Sequence, residues 1–176
     1  MSSLTVHLPK CYLVQESDYP LVTLLNQSAA VISVNRILLI NNNDYQVQGA
    51  NNLRWTFVVN RYTGAAFAGG PKFIPDLAVT PTTQIFAAHM AEVNGTASTL
   101  RRYLWGWDGV AAAGVWALGN FARQPWAVLY DGRDRQGATQ PWTIRQDEAL
   151  VIRASEQNAA TDRTFPVDVA LELAVN

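Results

Sequence analysis

Two stretches constrain the fold of this chain more than any other: residues 29–41 (AAVISVNRILLIN) and residues 53–64 (LRWTFVVNRYTG). In the second, Leu53, Trp55, Phe57 and Val59 fall on one side and Arg54, Thr56, Val58 and Asn60 on the other, the period-two pattern of a sheet half buried on a core. The first is apolar at every position from Ile37 to Ile40, which places it centrally with cover on two sides. Both read as long strands, joined by the polar stretch 42–52.

The rest of the chain repeats that theme in shorter form. LTVHL at residues 4–8 alternates and ends at Pro9, as an edge or interface strand does, with His7 on its polar face. Residues 21–25, 126–130, 142–144 and 149–154 read as further strands, and 115–118 as another. VDVALELAV at 167–175 is the cleanest half-buried strand, with Val167, Val169, Leu171, Leu173 and Val175 opposite Asp168 and Glu172.

Residues 83–93 fit two patterns. As a helix, Phe86, Met90 and Val93 share a face, and Thr82 or Thr83 supplies the cap. As a strand, the segment runs into Asn94-Gly95, a dipeptide suited to the positive φ of a hairpin turn. The hairpin is preferred, with 98–105 as the return strand, Phe86 facing Tyr103 and Ile85 facing Leu104. Gly106 to Gly109 then reads as a loop.

Some eight to ten short strands with at most one short helix describe an all-β, antiparallel, jelly-roll-like sandwich. A chain of 176 residues, 49% hydrophobic, suits a single domain spanning 1–176. An immunoglobulin-like sandwich is the runner-up, but the paired cysteines around a tryptophan are missing.

Charge and cysteine usage narrow the function classes. Thirteen basic and 14 acidic residues leave a net charge near zero, so neither nucleic acid nor an anionic membrane is an expected partner. Only 15% of residues are charged, and a surface covered by neutral polar groups and alanine suits packing against other protein. Cys11 is the one cysteine and reads as a small buried hydrophobe. The N-terminal MSSLTVHLPKCYLV has neither a basic leader nor an apolar core, so synthesis in a cytoplasm is expected, and the sequons at Asn26 and Asn94 need no glycan.

Catalytic signals are weak. His7 and His89 stand apart, with no His-x-His or His-x-x-x-His spacing, so no metal or other cofactor is expected. Asp131, Asp134 and Asp147 do not match a calcium loop, since Arg133 and Arg135 sit among the first two. Gly-x-Ser-x-Gly is absent, nothing selects a pair from Glu92, Asp108, Glu148 and Glu156 for glycoside hydrolysis, and AGGP at 68–71 lacks the lysine of a phosphate loop. A non-enzymatic role is the expectation.

What remains is contact chemistry. Residues 65–82 carry Gly69, Gly70, Pro71, Pro75 and Pro81, so regular structure cannot run far there. A long excursion of this kind is a candidate contact site, with Phe67, Phe73 and Ile74 as its apolar residues. Six tryptophans are many for this length; most fill the space between sheets, while Trp105 and Trp107 sit beside a glycine turn and are the further candidates for partner contact.

Residues 137–175 resemble part of a known family. The order Pro141-Trp142-Thr143-Ile144, then Gln146-Asp147-Glu148 leading into Ala149-Leu150-Val151-Ile152, then Phe165-Pro166-Val167 to Val175, is similar to the closing strands of single-jelly-roll structural proteins of phage virions. In those a Pro-Gly-Glu turn often precedes the penultimate strand, and here Gln146-Asp147-Glu148 takes its place. The strand ending Asn60-Arg61-Tyr62-Thr63-Gly64 is similar in style. The resemblance implies a decoration or cement protein bound to a major capsid protein, or a small capsid subunit, located in the virion and assembled as a homo-oligomer, commonly a trimer. It supplies no catalytic residues. The alternative from another class is a carbohydrate- or host-receptor-binding module using Trp105, Trp107 and nearby carboxylates.

Overall fold

The computed structural model describes residues 2–13, 18–41, 53–68, 85–89, 91–107, 126–132, 141–156 and 165–176. They form ten strands: β1 (Ser2–Leu13), β2 (Tyr19–Asn26), β3 (Ile32–Asn41), β4 (Leu53–Phe67), β5 (Ile85–His89), β6 (Val93–Trp107), β7 (Trp126–Asp131), β8 (Trp142–Ile144), β9 (Glu148–Glu156) and β10 (Phe165–Val175). No helix occurs among the described residues.

The strands make two antiparallel five-stranded sheets. The front sheet runs β1-β10-β3-β7, with β8 sharing the same side of β3 as β7; the back sheet runs β5-β2-β9-β4-β6. Strands β1 to β4 alternate front, back, front, back, and β8 to β10 return in the same alternation. On that return β9 inserts between β2 and β4 while β10 inserts between β1 and β3. Each late strand thus joins two early ones, the double Greek key of a jelly roll.

Alternation in the sequence explains which faces meet. Val167, Val169, Leu171 and Leu173 of β10 are all buried, together with Val6 and Leu8 of β1 and Ile32, Val34, Ile37 and Leu39 of β3. They pack on Val22, Leu24, Phe57, Val59, Leu150 and Ile152 from the back sheet. Each such side chain contributes about 1.5–3 kcal/mol on burial. In β3 the step from Val34 to Ile37 is three residues, and the extra residue is absorbed where the register to β10 shifts between Glu172 and Leu173. The Asn35 carbonyl at that irregularity accepts a hydrogen bond from Gly132 N at 2.7 Å. Central placement of β3 is as the sequence indicates, but cover on its second face is partial: Leu38 and Ile40 are half-buried.

The back sheet has a second covered face. All eight residues of β2 are buried, so Thr23 and Leu25, which point away from the sandwich interior, are as enclosed as Val22 and Leu24. Leu25, Ala149 and Val151 form a separate apolar cluster with Ala65 and Val93, flanked by Tyr62, Phe67 and Phe86. The β4–β6 ribbon bends at Gly64, whose φ is 63°, and at a register shift between Thr63 and Ala66, which lays its tip on this outer face. A third layer results.

That layer overturns the hairpin expected at Asn94-Gly95. β5 pairs with β2, placing Phe86 opposite Leu25 and Ile85 opposite Asn26, not Tyr103 and Leu104. After β5 the chain crosses the back sheet's outer face, where the Ala91 carbonyl accepts from Thr23 Oγ1 at 2.6 Å, and enters β6 at the opposite edge. Gly95 lies within β6 with φ 135°, and a Cβ there would stand 2.7 Å from the Thr63 carbonyl oxygen. Close approach of two backbones, not a turn, requires that glycine.

Other boundaries also differ. The first strand continues through Pro9 by a register shift between Leu8 and Cys11. Gly106 and Trp107, read as loop, belong to β6 and pair with Arg54 and Leu53. The strand expected at 115–118 lies outside the described residues.

Candidate contact surfaces

Of the five candidate contact residues, Phe67 is the best described. Its ring meets Phe86 edge-on, centroids 6.0 Å apart and planes at 71°, so it serves the third layer of its own chain. Trp105 and Trp107 are placed by backbone register opposite Trp55 and Leu53 on β4. Phe73 and Ile74 lie outside the described residues, as does most of the 65–82 excursion; the part described, Ala65 to Ala68, is strand and turn lying against the back sheet, with Ala68 N donating to the Glu92 carbonyl at 2.9 Å. Among the other tryptophans, Trp142 stacks on the buried Tyr130 with centroids 3.7 Å apart and planes at 10°, filling space at the edge of the core.

Among the polar residues singled out in the sequence, those whose side chains are described hold structural positions; Asp108 and Asp134 lie outside the described residues. His7 is exposed on β1 and its Nε2 lies 3.1 Å from Asp168 Oδ2 on the neighbouring β10. Beside it, Arg36 of β3 bridges Asp131 of β7 at 3.3 Å and Glu172 of β10 at 3.5 Å. Cys11 is buried, its thiol directed to the Leu8 carbonyl at 3.4 Å, and burial followed by the nearby Asp168 charge pushes it up to about 12. A thiol so placed is a packing group, as the sequence indicates. Burial likewise raises the Tyr130 hydroxyl. Among the described residues, no three of His, Cys, Asp and Glu gather as metal ligands would.

Two of the four carboxylates considered for hydrolysis have other tasks. Glu92 takes a bidentate pair of hydrogen bonds from Arg153, and the same guanidinium holds Asp18 through Oδ1 at 2.9 Å and the carbonyl at 2.6 Å. These hydrogen bonds, those to Glu92 foremost, hold the Arg153 guanidinium even more firmly protonated than usual. Glu148 Oε2 accepts from Arg145 N at 2.8 Å across the β8–β9 turn.

The β8–β9 turn has a defined type. Glu148 N donates to the Arg145 carbonyl at 3.1 Å, and Asp147 has φ 57°. A four-residue turn with positive φ only at its third position is type II, whose preferred central residues are proline then glycine. Gln146-Asp147-Glu148 therefore occupies the geometry that a Pro-Gly-Glu sequence favours, with Asp147 where glycine would stand.

Sequence reasoning missed Asn26, which it met only as a sequon. The side chain is fully buried: Nδ2 donates to the carbonyls of Ala30 at 2.7 Å and Ile144 at 3.2 Å, while Oδ1 accepts from Ser28 N at 3.0 Å and Ser28 Oγ at 2.7 Å. It joins the end of β2 to β8 in the other sheet. The signal that would have shown it is the Asn-x-Ser spacing as an Asx turn.

Edges complete the description of the surface. Six consecutive residues on β6, Asn94 to Thr99, are exposed, as are Arg101 and Arg102. Comparison with protein-family models, characterised proteins and solved structures finds no match to this chain.

Proposed function

We propose that the protein is a non-enzymatic structural component of a phage virion, a decoration or cement protein that stabilises a head through contacts with the major capsid protein. The observation that carries this reading is the closing unit of the jelly roll. β8, β9 and β10 carry the stretches on which the sequence resemblance rests, and the type II turn at Gln146-Asp147-Glu148 is one that a Pro-Gly-Glu sequence would favour, which supports the reading. The uncharged, exposed stretch Asn94 to Thr99 of β6 fits a surface made to be covered by protein.

The test is co-sedimentation of the purified protein with shells of the major capsid protein encoded in the same genome. Saturable binding at a fixed ratio of copies to shell subunits is expected, with a raised melting temperature of the shell. Absence of binding overturns the reading. Retention on immobilised glycans that is lost in Trp105→Ala/Trp107→Ala would put the sugar-binding module in its place.

A further inference from the structure

Sheet edges are open hydrogen-bonding templates, and proteins blunt those they do not use with short strands, prolines, bulges or charges. Three edges here are blunted. β5 has five residues, and β7 and β8 have six and three. β1 is longer, but it carries Pro9, Lys10 and a register shift between Leu8 and Cys11.

Over its first half β6 has neither proline nor charge, and its register shifts fall only on either side of Thr96 to Thr99. It is the outer strand of the back sheet among the described residues and runs for 15 residues. VNGTASTL, residues 93–100, contains no charge and no proline, and Asn94 to Thr99 are exposed on both faces. The two register shifts in its pairing with β4 fall at either end of a regular run, Thr96 to Thr99.

We infer that β6 is the site at which a second copy of this chain docks, the two strands pairing antiparallel about a two-fold axis near Ser98 and joining the two back sheets into one. Charge selects this arrangement. With Ser98 on the axis, Arg101 stands opposite the second copy's Gly95 and Arg102 opposite its Asn94, so the basic pairs at the ends of the contact never face each other. A parallel, in-register pairing would set Arg101 on Arg101. Close to the axis Ala97 meets Thr99, a small residue against a β-branched one, and a chain of net charge −1 carries no bulk repulsion between copies. An isologous contact of this kind closes at two. It is independent of the virion reading: shell binding can fail with the pair intact.

Native mass spectrometry and sedimentation of the full chain test it, on the wild type, on Ala97→Lys/Thr99→Lys, and on Ser3→Lys/Thr5→Lys at the β1 edge. All four positions are exposed, so each variant keeps its far-ultraviolet circular dichroism and melting temperature. The expected wild-type mass is twice the 19.4 kDa chain. The β6 lysines, brought against one another across the axis, raise the dissociation constant at least about tenfold and leave monomer, whereas the β1 lysines change nothing. A wild-type monomer at high concentration overturns the inference. So does an assembly, three-fold included, that survives the β6 lysines or dissociates on the β1 lysines.

Discussion

Arg153 grips Glu92 with two parallel hydrogen bonds, Nη1 to Oε2 at 2.9 Å and Nη2 to Oε1 at 3.0 Å, tying β9 to the segment that crosses the back sheet. Arg153 is nearly enclosed, its side chain 13% exposed, whereas Glu92 is 49% exposed and Asp18 68%, so water screens the carboxylates in part. Arg153→Ala is expected to lower stability by about 1–2 kcal/mol. Arg153→Lys recovers only a fraction, because an ammonium cannot present the fork. Urea denaturation of both variants measures this; equal stability of wild type and Arg153→Ala would show the grip to be idle.

Asn26 is a harsher site. Asn26→Ala strips partners from two buried carbonyls and from the Ser28 amide and hydroxyl at once, and a loss of about 2–4 kcal/mol is expected. Asn26→Asp keeps the acceptor but loses both donated bonds and buries a charge, so it fares no better. Thermal melts of the two variants at equal concentration decide the point.

At Asp147, a φ of 57° is tolerated by aspartate but natural to glycine. Asp147→Gly relieves that strain, against a modest gain in unfolded-chain freedom, and is expected to stabilise by about 0.5 kcal/mol. Gly95→Ala is the counterpart: the added methyl would press on the Thr63 carbonyl, and a loss of about 2 kcal/mol or more is expected. Opposite shifts in melting temperature would verify both.

Cys11 makes stability depend on alkaline pH. Its folded-state pKa is raised from 9.0 to about 12, so below pH 9 the thiol is neutral in both states and the stability is fully present. Between pH 9 and 12 the unfolded thiol ionises while the folded one does not, and stability falls by up to about 1.4 kcal/mol per pH unit. Cys11→Ala removes that part of the slope, as denaturant midpoints across the range would show. Iodoacetamide at pH 8 should leave the native thiol unlabelled and modify it fully in urea.

How much of this was legible in the sequence depends on how local its cause is. β10 was plain from VDVALELAV because one face is buried and the other carries Asp168 and Glu172. β2 was faint because cover on both faces erases alternation, and the cover comes from residues 65–67 and 91–93, far along the chain. Asn94-Gly95 misled for a related reason: its backbone freedom serves a crowded crossing, and β5 finds its partner in β2 rather than in the next strand. Of the contact candidates, Phe67 packs against Phe86 of its own chain, a pairing set by the third layer and not visible in the local sequence. The open edge of β6 emerged only once strand order was known.

The third layer also bears on the sequence of events in time. Ala65, Phe67 and Val93 close over a face built from Leu25, Ala149 and Val151, which exists only after β2 and β9 have met across most of the chain. Closure is therefore expected to follow the assembly of the sheets and to lie outside its rate-limiting step. Changes at Arg153 or Gly95 should quicken unfolding several-fold and leave the folding rate nearly alone, making the cover the part of the molecule that governs how long a folded chain lasts.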